Sequence, residues 1–403
     1  MAKLAATTAV AAIAIAGTTA AIAAPCAGFT DVDDASPFCS NVAWINNRGV
    51  TLGCDTNLYC PHVAVSRLAM AAFLNRLGDA VLPPRVLWVA NEGGTFSSIQ
   101  AAIDYAKSQG ASAFSTWLLK VAPGTFTEKV TMADGVDVEG SGTGITVLTS
   151  DAVLGTLVTG AVAELRHMTI RNTSSNPHPN IVSAAVWNVP NFGPIEPRLV
   201  DVELRAELGT YGVAVFVANG SGLTIRDSRI YATGTSASDG VHSNGGVTLR
   251  NVDLQLASSL GNLAQGVVQN AGSATISNSR IGATAGADTV NAVVVNGGTM
   301  LIENSTVLAF GLTTTTGVRN QATTTIRNTV IDVLAGSSKQ TVSNAGTIRV
   351  ESSSLSVADG NARVAFARSG GTATIAYTRI VGPVTGSPAC LGTYDANLVP
   401  VVC

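Results

Sequence analysis

Residues 276–307 read ISNSRIGATAGADTVNAVVVNGGTMLIENSTV, and this stretch decides the fold. It opens and closes on one phrase: an apolar alternation, a polar hinge residue, then a second apolar alternation. ISNSRI at 276–281 returns as IENSTV at 302–307. Moving outward, the phrase recurs as LRNVDL at 249–254, IRDSRI at 225–230, LVDVEL at 199–204 and LRHMTI at 165–170. On the other side it recurs as IRNTVI at 326–331, VESSSL at 350–355 and IAYTRI at 375–380. The hinge residues are His167, Asp201, Asp227, Asn251, Asn278, Asn304, Asn328, Ser352 and Tyr377. By subtraction their spacings are 34, 26, 24, 27, 26, 24, 24 and 25 residues. Periods of about 20–50 residues signal stacked architectures.

A second phrase keeps the same beat: AAVWN at 184–188, GVAVF at 212–216, GVHSN at 240–244, GVVQN at 266–270, AVVVN at 292–296, GVRNQ at 317–321 and TVSNA at 341–345. Each repeat therefore carries two short apolar-alternating segments bounded by Gly, Asn, Ser and Thr, the pattern of strands rather than helices. The leucine pattern of leucine-rich repeats is missing, and propeller blades are longer. The expected fold is mainly β, a right-handed parallel β-helix. Asn tolerates the left-handed backbone conformation, so it suits the hinge. Asn251, Asn278, Asn304 and Asn328 are expected to stack as an internal asparagine ladder, with Asn244, Asn270, Asn296, Asn320 and Asn344 as a second set.

Only 12% of residues are charged, 46% are hydrophobic and 41 are Gly, which suits a long stack with tight turns. The net charge of −3 gives no electrostatic case for nucleic acid or an anionic membrane surface. Residues 1–23 read as an export signal, with Lys3 before an apolar run and Ala21-Ile22-Ala23 at the cut; cleavage after Ala24 is the alternative. No later run is long and apolar enough for a membrane helix. The expected location is secreted, extracellular or on the cell envelope. Six cysteines in an exported chain point to disulfides, with local pairings Cys26–Cys39, Cys54–Cys60 and Cys390–Cys403, against a competing zinc reading without a CxxC pair. No cofactor and no metal are expected.

The expected organisation is a leader (1–23), a small module (24–82), a cap helix with first coils (83–160), the repeats (161–385) and a disulfide-closed tail (386–403). In the module, one helix is expected from about Ser36 to Arg48-Gly49, carrying Phe38, Val42, Trp44 and Ile45. A second starts at an N-cap Ser66 and turns Leu68, Ala71, Ala72 and Leu74 towards a core. Asp31, Asp33 and Asp34 lack calcium-loop spacing and read as a solvated turn. Phe29-Thr-Asp-Val32, Arg48-Gly-Val-Thr-Leu-Gly53, Tyr59-Cys-Pro61 and Val65-Ser-Arg-Leu-Ala69 followed by Met70-Ala-Ala-Phe-Leu-Asn-Arg76 resemble an S-layer homology module. That resemblance implies attachment to cell-wall polysaccharide through the motif containing Arg67. Here the motif ends in Ala69 where the family has an acid, and one copy stands for the usual three.

The amphipathic stretch Phe96–Ala106, capped by Ser97 or Ser98, is expected to be a helix that covers the apolar end of the first coil. Gly94-Thr-Phe-Ser-Ser-Ile-Gln-Ala-Ala-Ile103 and Pro123-Gly-Thr-Phe-Thr-Glu128 resemble the start of pectin-lyase-like β-helix proteins, pectin methylesterases especially. In that resemblance Gly124 and Glu128 take structural roles. The esterase motifs of the types QDT, DFIFG and LGRPW are absent, and of the polygalacturonase motifs only Ser238-Asp-Gly-Val-His242 is faintly similar.

The catalytic candidates are thus Asp239 and His242, with Gln265 and residues 185–188 as expected neighbours and Arg226, Asp227 and Arg229 one strand earlier. The carbohydrate-binding candidates are Arg67, Trp187, Phe192, Tyr211 and Phe216, with His178 on the same long insertion. The expected function is an envelope-associated, polysaccharide-binding, adhesive or structural β-helix protein, leaning against an enzyme. The alternative is a polysaccharide esterase, lyase or glycoside hydrolase, which needs suitably placed carboxylates.

Overall fold

The computed structural model describes residues 24–81, 85–175, 183–190, 197–258, 263–286, 288–360, 362–401 and 403. The leader, His178 and Phe192 lie outside the described residues. The chain divides into two units, Met1–Pro84 and Arg85–Cys403. Among the described residues no helix is long and apolar enough to cross a membrane.

The second unit is a parallel β-helix. The hinge phrase bends into two strands rather than one, so each full coil has three: for example Ser273–Ser277, Arg280–Ala285 and Thr289–Val295. Each strand pairs in parallel with its equivalent one coil later. One aliphatic column in the pre-hinge sheet runs Leu165, Leu199, Ile225, Leu249, Ile276, Ile302, Ile326, Val350 and Ile375, residue over residue. The third sheet contributes Val186, Val215, Val241, Val267, Val293, Val318, Val342 and Phe366 in the same way. These side chains are at most 2% exposed. Branched residues of similar size repeat at one position, so successive coils interlock at close-packed density.

All nine hinge residues take the left-handed conformation, with φ between 47° at Asn328 and 57° at His167. The expected internal asparagine ladder is corrected: Asn251, Asn278, Asn304 and Asn328 are exposed. Two outward links join them to a neighbouring hinge, from Asn251 Nδ2 to Asp227 Oδ1 (2.8 Å) and from Asn328 Nδ2 to Asn304 Oδ1 (3.3 Å). The internal ladder belongs to the next residue. The strand register skips the hinge, and a hydroxyl bridges the gap. Ser279 Oγ donates to Ser277 O (2.7 Å) and accepts from the Val252 N–H of the preceding coil (3.0 Å). Ser305 accepts from Ser279 N–H, Ser353 from Thr329 N–H and Thr378 from Ser353 N–H. A left-handed residue reverses the alternation, so the hinge faces water and its successor faces in.

The second asparagine set splits into two columns. Val295 pairs with Asn320 and Asn320 with Asn344, which puts Asn296 one place out of line. Asn320 and Asn344 are fully buried and joined by a 2.7 Å hydrogen bond. Asn244, Asn270 and Asn296 form an outer chain with 2.9 and 2.8 Å links.

Helix α3 (Ile99–Ser108; α1 and α2 belong to the first unit, below) buries Ile99, Ala102, Ile103 and Ala106 in the same core as the coils. Ser98 caps it, accepting from Ala101 N–H at 3.1 Å. The Glu128 carboxylate accepts from Ile99 N–H (2.7 Å), Gln100 N–H (3.1 Å) and Ser98 Oγ (2.7 Å). A carboxylate there satisfies orphan N–H groups and opposes the helix dipole. This joins the two stretches, 94–103 and 123–128, in one structural device.

In the first unit, α1 (Cys39–Asn47) and α2 (Arg67–Val81) are present, and Ser66 Oγ accepts from Ala69 N–H at 3.1 Å. The expected core face of α2 is corrected. The unit's core is Cys26, Phe29, Val32 and Val42. Phe38 and Trp44 are exposed, as are Leu68, Ala71 and Leu74 of α2. The core of a module this small is one short strand pair and one helix face, and no residue of α2 belongs to it. Asp31 is structural: its carboxylate accepts from Tyr59 N–H (2.8 Å) and Cys60 N–H (2.7 Å), and the Tyr59 contact first of all holds its pKa below the usual range. The disulfides are Cys26–Cys39, Cys54–Cys60 and Cys390–Cys403.

Candidate functional site

The third strand of each coil carries two outward rows. A bulge residue separates them, because Gly240, Gly266 and Gly317 are skipped by the register. At Gly240 a Cβ would come within 2.7 Å of the Gly266 carbonyl oxygen, which fixes glycine there. One row contains Val213, Asp239, Gln265 and Asn291. The other contains Trp187, Phe216, His242 and Val268. The short strand-bulge-strand segment therefore sends Asp239 and His242 to the same side of the sheet.

Identical positions on successive coils lie about 4.8 Å apart, close to ring-stacking distance. The Trp187 and Phe216 centroids are 4.1 Å apart at 13°, and those of Phe216 and His242 are 5.5 Å apart at 11°. The faces are thus spent on one another. The three residues remain half-buried, and what they offer outward is ring edges rather than an open platform.

Behind the stack sits a polar network. His242 Nδ1 lies 2.8 Å from Asp239 Oδ2, and Tyr211 Oη donates to the same oxygen at 2.5 Å. Asn270 Nδ2 lies 3.0 Å from His242 Nε2. An amide N–H can only donate, so Nε2 is the accepting nitrogen and the proton sits on Nδ1, facing the carboxylate. Asp239 is fully buried, and its Oδ1 has no partner among the described residues. Burial first, and then the Asp239 charge and hydrogen bond, push the Tyr211 phenol well above its ordinary pKa. Tyr211 keeps its proton and acts as a donor.

Trp187, Tyr211, Phe216, Asp239 and His242 are therefore brought together. Gln265 is in register with Asp239. Arg226, Asp227 and Arg229 are not part of the cluster: Asp227 is the hinge, and the two arginines flank it on the other two strands of their coil. Arg67 is exposed at the start of α2 in the first unit. Sequence reasoning missed Asn270 as a partner of His242, although it ends the repeated phrase one coil after the phrase that contains His242. Among the described residues no group of three or more His, Cys, Asp or Glu side chains could hold a metal ion.

No family model matches the chain, and no curated protein matches it. Among solved structures it is similar to the A-module of the Azotobacter vinelandii mannuronan C-5 epimerase AlgE6, at 18% identity and a TM-score of 0.45, over 74% of this chain and 94% of that one. It is also similar to a pectin methylesterase from carrot, at 14% identity and a TM-score of 0.44, over 70% and 86%. A third is the pectin methylesterase from Aspergillus niger, at 16% identity and a TM-score of 0.41, over 70% and 89%. The parallel β-helix itself rests on the strand registers of this chain.

Proposed function

We propose that this chain is an exported, envelope-associated β-helix protein that binds extracellular polysaccharide on its third-sheet face, around Tyr211, Asp239 and His242. The observation that carries the reading is the convergence on one face of an aromatic column and a hydrogen-bonded polar network. Sugar recognition uses this combination of apolar contact and a few oriented polar groups. Export is supported by the leader-like residues 1–23 and by three disulfides. The S-layer-homology-like module, with Arg67, would supply attachment to the cell wall.

Recognition is favoured over turnover because the acid–base groups are engaged with one another. Asp239 is shielded from solvent, His242 Nε2 is held by Asn270, and Tyr211 retains its proton. A second reading, acid–base chemistry on a polysaccharide, is favoured by the orphan Oδ1 of Asp239, a buried acceptor that invites a partner. Native electrophoresis through gels containing methyl-esterified pectin, polygalacturonate, alginate or uncharged glucan tests the binding reading. The expected result is retardation by at least one polymer, reduced in Tyr211→Phe and His242→Ala. Retardation by none of them would overturn it.

A further inference from the structure

The second sheet of the coil, just after the hinge, carries a different feature. A cavity of about 550 Å³ runs over the hinges and the first outward row of this sheet. A second, of about 520 Å³, continues it across the next row, and the two share Arg280. The first row stacks Glu203, Arg229, Asp253, Arg280 and Thr306 in register. Acid and guanidinium thus alternate at a coil spacing of about 4.8 Å.

Alternation of this kind normally closes into ion pairs, as Arg327 does with Glu303 elsewhere on the stack. Here it does not. Arg229 and Arg280 are exposed, and their side chains make no ion pair or hydrogen bond among the described residues. Asp253 gives one oxygen to Gln255 Nε2 at 2.8 Å, while its Oδ1 is buried without a partner. The second row supplies a platform and a notch. Arg205 lies 4.7 Å over the Tyr231 ring, and Gly282 stands two coils further on. A Cβ at Gly282 would meet only the Leu254 carbonyl oxygen, at 3.5 Å, so its lack of a side chain leaves open space.

We propose that this face is a second binding groove, for an uncharged linear polysaccharide. The inference rests on the polysaccharide reading of the chain and extends it to a site on another sheet. The open guanidiniums of Arg229 and Arg280, alternating with the free Oδ1 of Asp253, complement hydroxyls, which both donate and accept. Guanidinium forks donate to pairs of neighbouring hydroxyls, and Asp253 Oδ1 accepts from another. A polyanion would instead meet Glu203 and Asp253, with the hinge carboxylates Asp201 and Asp227 beside them. Coils repeating at short, regular spacing offer equivalent contacts to a chain of equivalent sugars.

Titration calorimetry with hydroxyethylcellulose and galactomannan as uncharged probes, and polygalacturonate as the acidic one, tests this. The proteins are the wild type, Arg229→Ala/Arg280→Ala, Gly282→Val to fill the notch, and Arg349→Ala as an exposed control on another sheet. The expected result is binding of an uncharged polymer, weakened at least tenfold by either groove variant and unchanged in Arg349→Ala. Tighter binding of polygalacturonate through the same arginines would overturn the ligand class. Groove variants that bind like wild type, while His242→Ala loses affinity, would overturn the groove and leave the third-sheet reading standing. No binding of either uncharged polymer by the wild type would overturn the groove, while the third-sheet reading stands or falls on the gels with pectin, polygalacturonate, alginate and glucan. A dimer in sedimentation that Arg229→Ala/Arg280→Ala dissolves would reassign the face to self-association.

Discussion

Ser279 shows how a single residue holds the stack. Its hydroxyl closes the ladder where the Asn278 hinge opens it, reaching one carbonyl in its own coil and one N–H in the coil before. Ser279→Ala leaves the Val252 N–H buried and unpaired, a loss of about 1–3 kcal/mol. The expected outcome is a lowered urea midpoint and faster amide exchange at Val252. Asp332 works in the opposite sense. Burial first raises its carboxyl pKa, against the hydrogen bond from Ser356 and the charge of Arg379. Just above the ordinary aspartate range the folded chain therefore binds the proton that the unfolded chain has lost, so stability falls as pH rises through that window. Asp332→Asn should raise the thermal midpoint at pH 7 and leave it unchanged below the carboxylate range. The hinges were legible because their residue types and spacing recur in the sequence. The inward ladder was not, because periodicity marks a position without saying which way it faces. The successors Ser228, Ser279, Ser305, Thr329, Ser353 and Thr378 were the available signal.

At the scale of elements, α3 depends on a residue from another strand. Glu128 accepts from the Ile99 and Gln100 N–H groups and from the Ser98 hydroxyl. Glu128→Ala removes all three contacts, a loss of about 1–2 kcal/mol by analogy with cap deletions. The expected outcome is faster hydrogen exchange in the first turn of α3, with the distant coils near Ile326 unaffected. The existence and cap of this helix could be read from Ser98 and the apolar spacing that follows. Its dependence on Glu128 could not, since a contact across about thirty residues leaves no local pattern. The helices of the first unit give the converse lesson. Ser66 marks the start of α2 correctly, yet amphipathic spacing did not identify a buried face, and Leu68 and Leu74 stand exposed.

For the whole molecule, a repeat of 24–27 residues over most of the stack keeps equivalent side chains in columns, and columns make surfaces. The candidate site arises where that regularity meets variation: Trp187, Phe216 and His242 share a column, while Tyr211 and Asp239 occupy the places beside it. Trp187, Tyr211, Phe216, Asp239 and His242 could be gathered from sequence because stacking preserves register. The ring orientation could not, and it turns an expected platform into a set of edges. The central claim is recognition of polysaccharide at this face rather than its conversion. Its most direct test incubates the chain from Ala24 onward with methyl-esterified pectin, polygalacturonate, alginate and cell-wall glycans. Retained protein is then measured together with released methanol, unsaturated ends and new oligosaccharides by mass spectrometry. The account predicts retention by at least one polymer and no product beyond that of heat-inactivated protein. Any product that disappears in Asp239→Asn and His242→Ala would contradict it and make the cluster a catalytic centre.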